Sequence, residues 1–291
     1  MNVRDSILAF SVPINWGLGF TLAKVGLSEF PPLFLMGMRF SAAALTLLWF
    51  VSLPKGYFIK IFWISLLGFS IQYGLTFTGL SMIDASLAVI VVQLEVPFGV
   101  LLAILFLKEK PGGKSILGML LAFGGIYILV GQPNLKDQIF PILLTASGGL
   151  MWAVGQIMVK RFASTVNSLS LVVWVAAFSG PQLIIGSFLL ETGQLSAVQE
   201  ASWVGWSTVI YLGLIMTGLG YGVWYRILSR NPVSQVLPVL LILPFVTIIT
   251  SIIFLGEDPT LSVLLGGAII LSGVALIMLN TNSTKANENM P

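Results

Sequence analysis

The chain has no cysteine, no histidine and little charge: Asp, Glu, Lys and Arg together make up 9% of its residues. Each absence removes a class of chemistry. Without cysteine there is no disulfide, no thiolate nucleophile and no thiolate metal ligand. Without histidine the usual zinc sites and Ser/His dyads go as well. The aspartates, Asp5, Asp84, Asp137 and Asp258, all fall at segment ends or in connections. An aspartyl mechanism needs two of them facing each other inside an apolar segment, and that arrangement is missing. The residues point away from an enzyme and away from any metal or cofactor.

Scarce charge beside 57% apolar residues leaves too little polar surface for a soluble globule. What the chain has instead is ten apolar stretches, near residues 6–26, 31–53, 60–80, 85–106, 114–130, 138–159, 168–190, 203–225, 233–255 and 261–279. Most come close to the roughly 20 residues a helix needs to cross hydrocarbon. They are continuous rather than alternating, so they read as helices and not as strands of a barrel. The expected fold class is an all-α integral membrane protein of ten transmembrane helices, with the lipid bilayer as its main partner. The first span shows no short apolar core followed by a small-residue cleavage site, and it reads as an uncleaved helix. Residues 281–291 are polar and read as a disordered tail.

The charges sort by side. If the first helix starts on side A, that side collects Arg4, Lys55, Lys60, Lys108, Lys110, Lys114, Lys160, Arg161, Arg226, Arg230 and Lys285. Side B keeps Lys24 and Lys136 beside Glu29, Asp84, Asp137, Glu191, Glu200, Glu257 and Asp258. The positive-inside bias makes side A cytoplasmic and, with an even number of spans, puts both termini there. The net charge of +3 is thereby a topology signal. A nucleic-acid partner would need a basic patch on one element, and none is present.

The chain is also written twice. Residues 80–130 overlay residues 228–278 without a gap, so that Leu107 and Glu109 fall on Leu255 and Glu257, Gly118 on Gly266, and Gly125 on Gly273. Trp16, Gly19 and Lys24 recur as Trp152, Gly155 and Lys160. This divides the chain into a first five-helix repeat, residues 1–132, and a second, residues 133–280. An odd number of helices per repeat makes the two copies enter the bilayer from opposite faces, so the repeats are inverted, the pattern of secondary transporters that work by alternating access. An inverted-repeat channel remains the rival reading.

Five blocks, NWGLGFTLAKVGL (15–27), PPLFLMGMRF (31–40), FLKEKPGGKSILGMLLAFGGIYIL (106–129), GYGVWYRIL (220–228) and FLGEDPTLSVLLGGAIILSGVALIM (254–278), resemble in order the blocks of the EamA-type drug/metabolite transporters. The WGLGF start (16–20) and the second-helix and eighth-helix blocks look closest to the branch that exports O-acetylserine and cysteine. The resemblance implies a cavity lined largely by helices 1, 3, 4, 6, 8 and 9, and ATP-independent export of small metabolites across a bacterial cytoplasmic (inner) membrane, by a monomer or weak homodimer. An exporter of organic cations is the alternative within the class. The chain departs from the pattern at one point: Pro97 lies 12 residues before Glu109, whereas Pro244 lies 13 before Glu257.

Glu95 stands out, an ionisable residue about ten residues from either end of the fourth span. Such a group costs about 2.5–3.5 kcal/mol at the bilayer centre on insertion scales. Its repeat equivalent is Leu243, so the duplicated scaffold does not require it. Two readings stand: a site carboxylate for a substrate ammonium or a coupling proton, or a structural carboxyl held against a neighbouring helix. Arg39 lies inside the second span and reads either as scaffold, bonding helix-end carbonyls, or as a carboxylate anchor. Asn15, Trp16, Gln72, Tyr73, Gln93, Trp152, Gln156, Tyr221 and Trp224 are the polar and aromatic span residues expected to line the cavity. Pro97, Pro238 and Pro244 are the expected hinges or gates, and Glu109 and Glu257 are expected to cap helices or pair with a cation.

Overall fold

A computed structural model describes residues 3–228, 230, 231 and 236–288. Its ten long apolar helices are α1 (Val3–Gly26), α2 (Pro32–Leu47, extended by a 3-10 turn to Phe50), α3 (Phe58–Met82), α4 (Ala85–Leu107), α5 (Gly113–Val130), α6 (Ile139–Phe162), α7 (Ser168–Leu190), α8 (Trp203–Leu228), α9 (Pro238–Leu255) and α10 (Leu261–Glu288). The all-α membrane fold expected from the sequence is the one observed. At its C-terminal end α10 continues through Glu288.

Helix starts follow local chemistry. Pro31 and Pro32 open α2, where a missing N–H costs nothing. Asn167 caps α7 by accepting from Leu169 and Ser170, and Ser202 caps α8 by accepting from Val204 and Gly205. At their ends α4 and α9 match. Lys108 (φ 55°) and Gly256 (φ 68°) both adopt the left-handed conformation, and the next N–H groups, of Glu109 and Glu257, return to Ala103 and Ser251.

Four helices are irregular near mid-span. α3 widens into a π-helix at Leu66–Ile71, and α8 does so at Tyr211–Leu219. α4 breaks at Gln93–Leu94, and its second half starts at Glu95, while α9 begins as a 3-10 turn, Leu237–Ile242, before its regular half, Leu243–Leu255. Pro97 and Pro244 therefore share a role despite their one-residue offset, because each lies in the first turn of a half-helix.

Glycines set where helices cross. α5 and α10 run antiparallel with Gly118 against the backbone of Gly273 and Gly125 against Gly266 and Ile270, leaving no room for a Cβ at either crossing. Gly68 meets Gly155 where α3 crosses α6, and Gly19 meets Met216 where α1 crosses α8. Gly37 abuts Ile184 on α7, and Gly180 abuts Ser41 on α2.

Candidate functional site

The irregular segments of α3, α4, α8 and α9 surround a central cavity. Helix breaks and π-turns expose backbone groups that a regular helix would consume, and in hydrocarbon such groups are tolerated only beside a cavity or protein. The lining comes from α1 (Trp16, Phe20), α2 (Arg39), α3 (Gln72, Tyr73, Thr76, Phe77), α4 (Val89, Val92, Gln93, Glu95), α6 (Trp152), α8 (Met216, Tyr221), α9 (Leu240, Leu243) and α10 (Met278). The helices expected from the resemblance are all there, joined by α2 and α10.

Of the residues singled out in the sequence, Glu95, Arg39, Trp16, Gln72, Tyr73, Gln93, Trp152 and Tyr221 meet at this cavity, and Asn15, Gln156 and Trp224 do not. Asn15 is used up structurally: its Nδ2 donates to Ile215 O at 3.1 Å and its Oδ1 accepts from Tyr211 Oη at 2.7 Å. Trp16 Nε1 likewise donates to Met216 O at 3.1 Å, so α1 is stitched to the carbonyls of the π-segment of α8. Gln156 is exposed. Trp224 is buried against Trp16, ring centroids 5.8 Å apart. Pro97, Pro238 and Pro244 flank the breaks of α4 and α9 without lining the cavity themselves.

Three polar groups at the cavity keep hydrogen-bonding capacity that no described residue meets. The Glu95 carboxyl makes no hydrogen bond or ion pair with any described residue. Arg39 is 1% exposed, yet its guanidinium donates only from Nε to Thr217 Oγ1 (3.1 Å) and from Nη1 to the Met36 sulfur (4.0 Å). It is held in place by rings instead, 5.0 Å from the Tyr73 centroid and 5.5 Å from that of Phe40. Gln72 donates from Nε2 to Thr76 Oγ1 at 3.1 Å, and its Oε1 is buried without a partner. A buried polar atom left unpaired costs about 1–3 kcal/mol, and native proteins rarely leave one without reason.

Sequence reasoning missed the apolar lining, although the duplication offered a signal. Tyr73 and Tyr221, Val92 and Leu240, and Glu95 and Leu243 each lie 148 residues apart, and all six face the cavity. So do Trp16 and Trp152, at the other offset. Part of the cavity wall is thus built from repeat-related positions of both halves.

At the side B end of the bundle Lys24 and Glu257 grip the α3–α4 turn. Lys24 Nζ donates to the carbonyls of Leu80, Ser81 and Ile83, and the Glu257 carboxylate accepts from the N–H groups of Ala85 and Ser86. Asp84, in the same turn, is pushed up from the ordinary carboxylate range, first by burial and then by Glu257, with Lys24 opposing. At the side A end the repeat equivalents behave differently. Lys160 and Glu109 pair with each other, their side chains 61% and 50% exposed, and neither makes another contact of this kind among the described residues.

The family described as "EamA-like transporter family" matches this chain twice, over residues 5–131 and 139–279. A protein of Escherichia coli named as a probable amino-acid metabolite efflux pump is 29% identical over 98% of both chains. A protein of Salmonella typhimurium with the same name is 31% identical over 94% of both. A solved crystal structure, 18% identical, superposes with a TM-score of 0.64 over 96% of this chain and 99% of its own, and supports the fold alone.

Proposed function

Because the chain belongs to the EamA-like transporter family, we propose that it is a secondary exporter of small amino acids or amino-acid derivatives, working by alternating access. The observation that carries the substrate class is the cavity itself: a carboxyl, Glu95, and a guanidinium, Arg39, both without a counter-ion among the described residues, line one space. A ligand bearing both charges supplies what each lacks. An organic cation satisfies Glu95 and leaves Arg39 more costly than before, which counts against the drug-export alternative. The relatives named as amino-acid metabolite efflux pumps agree with this reading.

Alternating access is supported by the two ends of the bundle. Lys24 and Glu257 grip a helix turn at side B, whereas at side A, among the described residues, Lys160 and Glu109 pair with each other, as expected of a device caught in one of two related states. In the exchanged state Lys160 would turn from Glu109 to the carbonyls at Leu228 and Asn231, which match Leu80 and Ile83 by the repeat. The crosswise contacts of Gly118 with Gly273 and Gly125 with Gly266 are what an in-plane two-fold axis produces. By its loop charges, side A faces the cytoplasm of a bacterial inner membrane and holds both termini. Glu95 then carries a proton or the substrate ammonium between faces.

The test is counterflow. Proteoliposomes preloaded with unlabelled neutral amino acids should accumulate labelled cysteine faster than empty ones, and Glu95→Gln should abolish the stimulation. Uptake indifferent to every preload would mean a channel.

A further inference from the structure

Resting on the amino-acid reading above, we propose that Arg39 and Gln72 are the specificity-determining residues: Arg39 binds the substrate α-carboxylate, and the Gln72 carbonyl, with Glu95, receives its α-ammonium.

The first argument is the state of Arg39. A scaffold arginine would spend its five N–H donors on helix-end carbonyls or a carboxylate. This one spends Nε on a threonine hydroxyl and Nη1 on a thioether, and Nη2 has no acceptor among the described residues. Tyr73 and Phe40 pack against the guanidinium and fix it beside the cavity. The N–H donors left over on Nη1 and Nη2 are the set that takes a carboxylate two-pronged.

The second argument comes from Gln72. Its amide is anchored through Nε2 to Thr76, so Oε1, on a residue that lines the cavity, is held as a buried acceptor with no donor to meet it among the described residues. An acceptor that waits for a donor, beside an unpartnered carboxyl, is complementary to an ammonium group.

The third comes from the duplication. The crosswise packing of Gly37 on Ile184 and of Gly180 on Ser41 pairs α2 with α7 at an offset that sets Arg39 against Gln182. Gln182 does scaffold work: Oε1 accepts from Ser70 and Ser65, and Nε2 donates to Phe62 O. On the offset of 148, Gln72 matches Gly220 and Glu95 matches Leu243. All three site groups belong to one half, and the other half keeps the fold with glutamine, glycine and leucine. The fold therefore does not demand them, and an asymmetric ligand does. Around them the cavity offers rings and aliphatic groups such as Phe20, Phe77, Leu240 and Met278, which suits a neutral substrate side chain.

Trp16 and Trp152 line the same space, so their fluorescence in the purified protein can report occupancy. The probes are serine, cysteine and leucine, each against the amine lacking the carboxylate and the acid lacking the ammonium. Wild type should bind each amino acid at least about tenfold more tightly than either partial analogue. Arg39→Gln should erase the preference of amino acid over amine, and Gln72→Leu should weaken amino acids and amines alike while leaving the acids unchanged. Arg39→Lys should restore part of the preference, which a purely structural arginine would not do. Equal binding of amine and amino acid by wild type, no binding of any probe, or a preference unchanged in Arg39→Gln would overturn the assignment. Selective binding without counterflow would instead overturn alternating access and leave the assignment standing, and counterflow driven equally by the amines would do the reverse.

Discussion

Lys24 and Glu257 hold opposite sides of one helix break: the lysine ends α3 through three carbonyls at 2.8–3.0 Å, and the glutamate starts α4 through two N–H groups at 2.6 and 3.0 Å. A cation at a helix C-terminus and an anion at a helix N-terminus each satisfy groups the helix leaves open, and both act with its dipole. The two residues come from α1 and α9, so the clasp ties both helices to the α3–α4 turn.

Releasing the clasp should open side B. Charge-assisted hydrogen bonds contribute about 1.5–3 kcal/mol each, enough to shift a two-state balance by at least about tenfold. Because the chain has no native cysteine, a single Val92→Cys on the cavity wall, at a partly exposed position, serves as an accessibility reporter. Glu257→Gln and Lys24→Gln should raise its labelling from side B by an impermeant thiol reagent by about that factor. Unchanged labelling would mean that the clasp is only a helix cap.

The equivalent pair on side A should show the opposite balance between stability and transport. Lys160 and Glu109 are exposed, and exposed ion pairs contribute about 0–1 kcal/mol. Glu109→Gln should therefore leave the melting temperature in detergent nearly unchanged. Counterflow should fall severalfold all the same, because the residue is needed in the exchanged state. A loss of stability matching the loss of transport would count against this role.

Asp84 gives the side B clasp a dependence on pH. Its carboxyl is raised by burial and by Glu257 against the pull of Lys24, so the clasped turn holds the Asp84 proton more tightly than a released, hydrated turn does. By linkage the clasp is favoured at low pH, and this contribution is lost as pH rises from the ordinary carboxylate range through the raised value. Labelling of Val92→Cys from side B should increase over that window, and Asp84→Asn should flatten the profile at its low-pH level. A profile unchanged by Asp84→Asn would assign the dependence to another group.

How much of this was legible in the sequence depended on the kind of force involved. Ten apolar runs and a fixed repeat offset are long-range, redundant signals, and they specified the helices and the facing duplicates. Glu95 was legible because a charge in hydrocarbon is expensive wherever it points. Whether Asn15 faces the cavity was not legible for lack of direction: the same chemistry that makes an amide suitable for a substrate also suits it to a π-segment carbonyl, and only the packing of α1 on α8 decides. The π-segments themselves carry no proline, and the partnerless acceptor of Gln72 arises from a side-chain orientation that no residue pattern encodes.

Glu95 and Leu243 offer the sharpest separation of function from fold. They occupy matching positions on α4 and α9 and face one cavity, so the structure already contains the experiment of replacing the carboxyl by leucine. Glu95→Leu should fold, and by removing an unpartnered carboxyl it should raise stability by on the order of 1 kcal/mol, read as a higher melting temperature in detergent. Counterflow should vanish in the same protein. Glu95→Gln, which keeps the shape and an acceptor but not the charge, should also lose transport while changing stability less. If Glu95→Leu instead melted several degrees lower, the carboxyl would be holding α4 against a neighbour, and the coupling role would have to move to another residue of the cavity.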